Sequence, residues 1–286
     1  MRRGLIVALA LAMSFAAAGA DDEQPKWTEG PAKAELGEAT LDVPAKYIFT
    51  GRDGARYVLK QGGNLLTDQE VGLVTPQTPP GDKQEHWFVV FEYDPMGHVK
   101  DDERHSIDAN ALLEGMREGN RKANEQKRRQ GLPTLDVVAW AVQPHYDETT
   151  HNLEWGLTLH SKQGEQDMDD VVNYEVRLLG REGVMRSTLV ISPTGMDTAL
   201  PAFRALLKGF SFRPGRRYAE YRQGDRLAQV GLTALIGGGA VAVAAKSGLL
   251  KYLWKILVAA GVAIVAFLRR IFGSTRKPSP EPPPMP

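Results

Sequence analysis

The chain has no cysteine. Disulfides, thiolate metal sites and cysteine nucleophiles are therefore excluded. It also lacks any excess of charge: Lys plus Arg total 35, Asp plus Glu total 35, and the formal net charge is +0 at pH 7. No overall field draws it to nucleic acid, which is not expected as a partner. Complete catalytic signatures are missing too. Ser192-Pro193-Thr194-Gly195 is not the Gly-x-Ser-x-Gly of a nucleophile elbow. Gly237-Gly238-Gly239 has neither the Lys-Ser/Thr of a phosphate loop nor dinucleotide spacing. Asp101-Asp102-Glu103, near His98 and His105, lacks the EF-hand pattern and reads as a solvated turn. No catalytic residue can be named, no metal site is implied, and no cofactor is expected.

What is present begins with length. The 286 residues allow one or two domains of about 100–200 residues each. Two apolar segments frame them. Arg2 and Arg3, the run Leu5 to Ala18, and Ala18-Gly19-Ala20 before Asp21-Asp22-Glu23 form the three parts of a secretory signal over residues 1–20. The apolar run is short for the roughly 20 residues a membrane span needs. At the other end, Leu227 to Leu268 carries charge only at Lys246, Lys251 and Lys255, then stops at Arg269-Arg270. This reads as a membrane anchor over residues 227–272. One span at about residues 249–271 puts Arg269, Arg270, Arg276 and Lys277 inside. A helical hairpin, 227–245 plus 252–271, puts the three lysines inside instead, and an amphipathic helix lying on the membrane surface is the third alternative. Residues 273–286 form a Pro-rich tail too polar to fold.

Between these segments, residues 21–222 are expected to form one exported soluble α+β domain. Residues 21–38 look like a loose leading stretch. Ala39 to Val43 and Tyr47 to Thr50 are short strands, Gly51 to Lys60 a short helix capped by Asp53, and Trp87 to Tyr93 a buried strand. Ser106 or Asp108 caps a long helix to about Arg129, with Leu112, Leu113, Met116 and Ala123 as its apolar stripe. The period then switches to two. Leu135 to Val142 is mostly apolar and expected to be central. Leu153, Trp155, Leu157 and Leu159, then Val172, Tyr174, Val176 and Leu178, alternate with mostly polar neighbours, and Met185 to Ile191 follows. Such strands predict an antiparallel meander with one face buried and the other wet, and a hairpin at Gly180 to Gly183. Thr198 to Phe210 is a helix with Pro201 in its first turn. Tyr218, Tyr221 and arginines, among them Arg222 and Arg226, precede the anchor, as at a membrane interface.

The densest polar cluster is Pro144-His145-Tyr146-Asp147-Glu148-Thr149-Thr150-His151. His145, Asp147 and His151 are residue types that ligate metals or move protons, but their spacing matches no common zinc motif. An Asx-turn at Asp147, with the histidines packed on Trp140 or Trp155, accounts for the same residues. His145, Tyr146, Asp147, His151 and Trp155 are the candidate binding residues.

Several stretches together resemble the DUF2167 family of uncharacterised bacterial membrane-anchored proteins. They are Gly97-His98-Val99-Lys100-Asp101-Asp102, Ile107-Asp108 and Asn124; Trp140 to Asp147, His151 to Trp155, Asn173-Tyr174 and Arg177 to Arg181; and Pro214-Gly215, Tyr218 and the Gly-rich start of the anchor. The resemblance implies a signal peptide, an exported domain and a C-terminal membrane segment. It supplies no activity. The expected function is a non-enzymatic periplasmic binding domain held in the bacterial inner membrane. Its partners would be the bilayer and an unknown envelope protein or polymer. A membrane-tethered metal-dependent or acid/base hydrolase built on His145, Asp147 and His151 is the alternative.

Overall fold

The computed structural model describes residues 24–62, 64, 66–77, 86–164 and 166–237. The signal segment 1–20, the anchor beyond Gly237, the tail, and residues 78–82 of the Pro/Gly-rich loop lie outside the described residues. The elements run β1 (Thr28–Glu29), β2 (Ala32–Glu35), β3 (Ala39–Val43), β4 (Tyr47–Gly51), α1 (Arg52–Gln61), β5 (Glu70–Pro76) and β6 (Phe88–Asp94). Then come α2 (Ala109–Arg129), β7 (Thr134–Asp147), β8 (Asn152–Gln163), β9 (Gln166–Leu179), β10 (Val184–Ile191), α3 (Met196–Leu207), β11 (Phe210–Phe212) and α4 (Leu232–Gly237). This is an α+β fold dominated by antiparallel sheet.

Eight strands form one sheet in the order β1-β4-β5-β6-β10-β9-β8-β7, and β11-β3-β2 form a second sheet. Alternation on β10 shows how the layers arise. Met185, Leu189 and Ile191 face a core shared with Tyr174, Val176, Phe203 and Leu206, where α3 and the small sheet pack. Val184 faces the other way, into a core with Leu112 of α2, Leu153, Trp155 and Leu179. A third cluster, Ala55, Val58, Leu73 and Val90, seats α1. Each fully buried Phe or Leu in these layers contributes roughly 1.5–3 kcal/mol.

The long helix forms as expected. Asp108 accepts from the backbone amides of Asn110 and Ala111, both at 3.0 Å, so two orphan donors of the first turn are satisfied. The meander β7-β8-β9-β10 and the Gly180 to Gly183 hairpin also form, with Gly180 N donating to Gly183 O at 2.9 Å.

Other expectations are corrected. β7 is an edge strand, not a central one. Its apolar side lies under α2, and α2 also occupies its outer backbone. Asn124, itself buried, donates to Leu135 O at 2.8 Å and accepts from Leu135 N at 3.0 Å. Arg117 donates to the carbonyls of Val137 and Val138. A helix lying along an edge, together with register shifts in the pairing to β8, protects it from foreign strands. The stretch 21–38 is not wholly loose, because β1 and β2 lie within it. β5 was not expected. Asp53 sits in the first turn of α1 rather than capping it; Gly51 holds the N-cap position. The last long helix begins earlier and ends at Leu207.

No helix among the described residues is long and apolar enough to cross a membrane. The first part of the C-terminal apolar run belongs to the domain. Leu232, Ala234, Leu235 and Ile236 of α4 are buried, and Leu232, Leu235 and Ile236 join the same core as Leu112. Glu103 accepts from Thr233 N at 3.0 Å in the first turn of α4.

Candidate functional site

The β7–β8 hairpin sets where its polar residues point. His145 pairs in register with Glu154, and Tyr146 with Leu153. Adjacent residues on a strand face opposite sides. His145 therefore goes with Glu154 to the α3 side, while Tyr146 goes with Leu153 to the α2 side. Asp147 is occupied by the turn: its Oδ1 accepts from Thr149 N at 2.8 Å and Thr150 N at 3.3 Å. These amides hold its carboxyl below the usual range. His151 closes the turn at φ 55°, a left-handed conformation uncommon outside glycine. The trio His145, Asp147 and His151 does not converge. No group of three or more His, Cys, Asp or Glu among the described residues is placed to hold a metal ion.

What converges instead comes from three distant segments. The Tyr146 hydroxyl donates to Asp101 Oδ2 at 3.1 Å and lies 3.0 Å from His151 Nδ1. A carboxylate only accepts, and a phenol has one proton. His151 must then donate through Nδ1–H to the Tyr146 oxygen, which leaves Nε2 as its basic nitrogen. Burial, then the Asp101 charge, push the Tyr146 hydroxyl well above its usual range, so it stays protonated.

Around this relay runs a stack of rings. His151 lies 4.7 Å from Tyr218, and His98 lies between Tyr218 and Tyr221 with both centroids at 4.4 Å. The Tyr218 hydroxyl donates to Val99 O at 2.9 Å, and burial pushes its pKa up to about 12. His98 is buried, and its Nδ1 has no hydrogen-bond partner among the described residues. Burial lowers its pKa, against the opposing pull of Asp225 and Asp101 and a hydrogen bond to the Arg181 backbone. Arg181 grips Asp225 with two bonds of 2.7 Å, which help hold that carboxyl down to about 2. The site is thus a half-buried polar and aromatic patch at one end of the sheet, rich in groups that donate, accept or stack.

His145 belongs to a second node on the opposite face. Its Nε2 is 3.8 Å from Glu154, which also accepts from the Tyr174 hydroxyl at 2.6 Å and faces Arg204 at 3.6 Å. Trp155 is fully buried under the Arg177 guanidinium, which sits 4.6 Å above its ring. It is a core residue rather than a contact surface. Asp101, His98 and Tyr218 were not among the candidate binding residues. Asp101 and His98 read as part of a solvated turn, yet His98 is buried and Asp101 is tied to Tyr146. No local spacing links residues 98–101, 146–151 and 218–221. Their shared histidine and tyrosine content was the available signal.

The chain loosely resembles a number of solved structures, including these three. Cyanobacterial PsbP (CyanoP) from Synechocystis sp. PCC 6803 is 10% identical, with 70% of this chain and 99% of that chain covered and a TM-score of 0.35. The Ran-binding protein Mog1p of Saccharomyces cerevisiae is also 10% identical, over 70% and 99%, at 0.34. A protein of unknown function, PA94, from Pseudomonas aeruginosa, described as a putative regulator, is 14% identical over 64% and 97%, at 0.30. No curated protein matches the sequence. The family model described as protein of unknown function, DUF2167, matches residues 28–269, and the chain belongs to that family.

Proposed function

We propose that this protein is an exported, membrane-anchored envelope protein whose α+β domain is a binding module. Its partner is an envelope protein or polymer, contacted at the surface formed by Asp101, Tyr146, His151 and Tyr218. One observation carries this reading. The hairpin residues that would serve a hydrolase are split between two sheet faces, whereas three distant segments meet in one fixed surface of hydroxyl, imidazole and carboxylate. Preorganised polar and aromatic groups of this kind recognise partners without losing much side-chain freedom. The anchored part of the reading rests on the sequence: the secretory signal over residues 1–20 and the apolar run that continues past α4 support a periplasmic domain tethered to the inner membrane.

The test is photo-crosslinking in cells. A photoreactive residue replaces exposed Thr149 beside the site, and a second replaces exposed Glu125 on α2 as control. A discrete adduct from position 149 alone is expected. Adducts equal to the control, or none above background, overturn the surface assignment.

A further inference from the structure

We infer that the segment 217–227 presents, through its exposed side chains Arg217, Tyr221, Arg222, Arg226 and Leu227, a docking surface for anionic lipid headgroups; this deepens the membrane-anchored reading and rests on it. The large hydrophobics left exposed among the described residues are Val138 at 43%, Tyr221 at 39% and Leu227 at 40%. The last two stand within this one segment. Arg217, Arg222 and Arg226 are exposed beside them; among the described residues none of the three closes an ion pair, although Arg217 and Arg222 act at longer range on Glu220 and Asp225.

The acidic residues of the segment are turned to other work. Asp225 is held by Arg181 at 2.7 Å, and Glu220 accepts from Arg217 N at 2.8 Å. The outward chemistry is therefore cationic and apolar, the mixture that suits the level of the headgroups. The platform is also fixed. His98 N donates to Arg226 O at 2.8 Å, Ala228 N donates to His98 O at 2.8 Å, and the Tyr221 ring lies 4.4 Å from His98. Leu227 opens the apolar run, and the part of that run left to enter a bilayer follows α4, so the chain holds this patch on a short tether to whatever bilayer the run enters. A soluble protein partner gains nothing from that tether, and this favours the lipid surface.

Because the chain has no cysteine, Gln223→Cys gives a single attachment point for a spin label. The full chain is placed in nanodiscs of phosphatidylcholine, with or without phosphatidylglycerol. Collisions of the label with lipid-dissolved oxygen and with a water-soluble nickel chelate are compared. In discs containing phosphatidylglycerol the label is expected to favour oxygen. Arg217→Gln, Arg222→Gln and Arg226→Gln combined should abolish that preference at an unchanged melting temperature. A label that favours nickel in both discs, while the chain co-purifies with them, overturns the docking surface and leaves the anchor standing. Equal immersion in both lipids overturns the recognition of anionic headgroups. A chain that does not co-purify with discs overturns the anchored reading itself.

Discussion

His160 and His98 titrate in opposite directions because their surroundings differ. His160 Nδ1 lies 2.7 Å from Asp170, and Nε2 lies 3.2 Å from Asp167. A neutral imidazole has one N–H, so both contacts are satisfied only by the imidazolium. Its pKa is raised, chiefly by the Asp170 and Asp167 hydrogen bonds. The stability it gives is present in full below the ordinary value of 6.5 and is lost as pH rises through the folded value. His98 is the reverse. Burial lowers its pKa, so its contribution is present above 6.5 and is lost as pH falls towards the folded value. His160→Gln should therefore lower the melting temperature at acid pH, an effect that fades as pH rises. His98→Phe, which keeps the stacking, should flatten the acid limb of the stability curve. Melting curves across pH check both, with proton NMR titration of the two rings. A His160 that titrates below 6.5, or two variants with the same pH trend, would show the assignment to be wrong.

At the scale of elements, two contacts have measurable weight. Asp108→Ala removes the cap of α2 and should destabilise the domain by about 1 kcal/mol in denaturant unfolding, within a range of roughly 0.5–2. Gly97 has φ 101°, and a side chain there would meet Arg226 O at 2.6 Å. Gly97→Ala should destabilise by more than about 1 kcal/mol and loosen residues 224–228 in hydrogen exchange. An unchanged exchange pattern would show that the Gly97 contact does not hold that segment.

The elements differ in how far the sequence made them visible. α2 was legible because its stripe and its cap agree. β8 to β10 were legible because alternation marks the apolar set of each strand. The apolar sets of β8 and β9 face opposite cores, however, so neither face of this part of the sheet is the wet one that alternation alone predicts. β5 was not: Gly72 interrupts its apolar pattern, and the glycine is there because a side chain would meet the Phe49 ring at 2.6 Å. The place of β7 was misread because its apolar content reflects cover by α2, not a neighbouring strand on each side. The site was half legible. Tyr146 and His151 lie in the dense loop, but their partners come from residues 98–101 and 218, which only the tertiary fold brings near.

For the whole molecule, α4 bears on which of the two topologies the proposed anchor can take. The hairpin topology needs residues 227–245 as its first span. Yet Leu232, Leu235 and Ile236 are packed into the domain core with Leu112, and Glu103 holds Thr233 N. Only residues 238–245 of that half remain, about 12 Å as helix against a core of ~30 Å. The later half, at about residues 249–271, is long enough to cross alone. Its flanks, Arg269, Arg270, Arg276 and Lys277, then lie on the cytoplasmic side. The prediction is a single crossing with the domain outside and the tail inside. In the cysteine-free chain, Gln223→Cys and Ser274→Cys are labelled in spheroplasts with a membrane-impermeant maleimide. Gln223→Cys should react with intact spheroplasts, and Ser274→Cys only after lysis. Reaction of both in intact spheroplasts means that the chain either crosses twice, which would require α4 to leave its place against α2, or lies on the membrane surface without crossing. Leu235→Ala separates these cases. It should destabilise the domain by about 2–5 kcal/mol if α4 is part of the core, and by almost nothing if α4 lies in lipid.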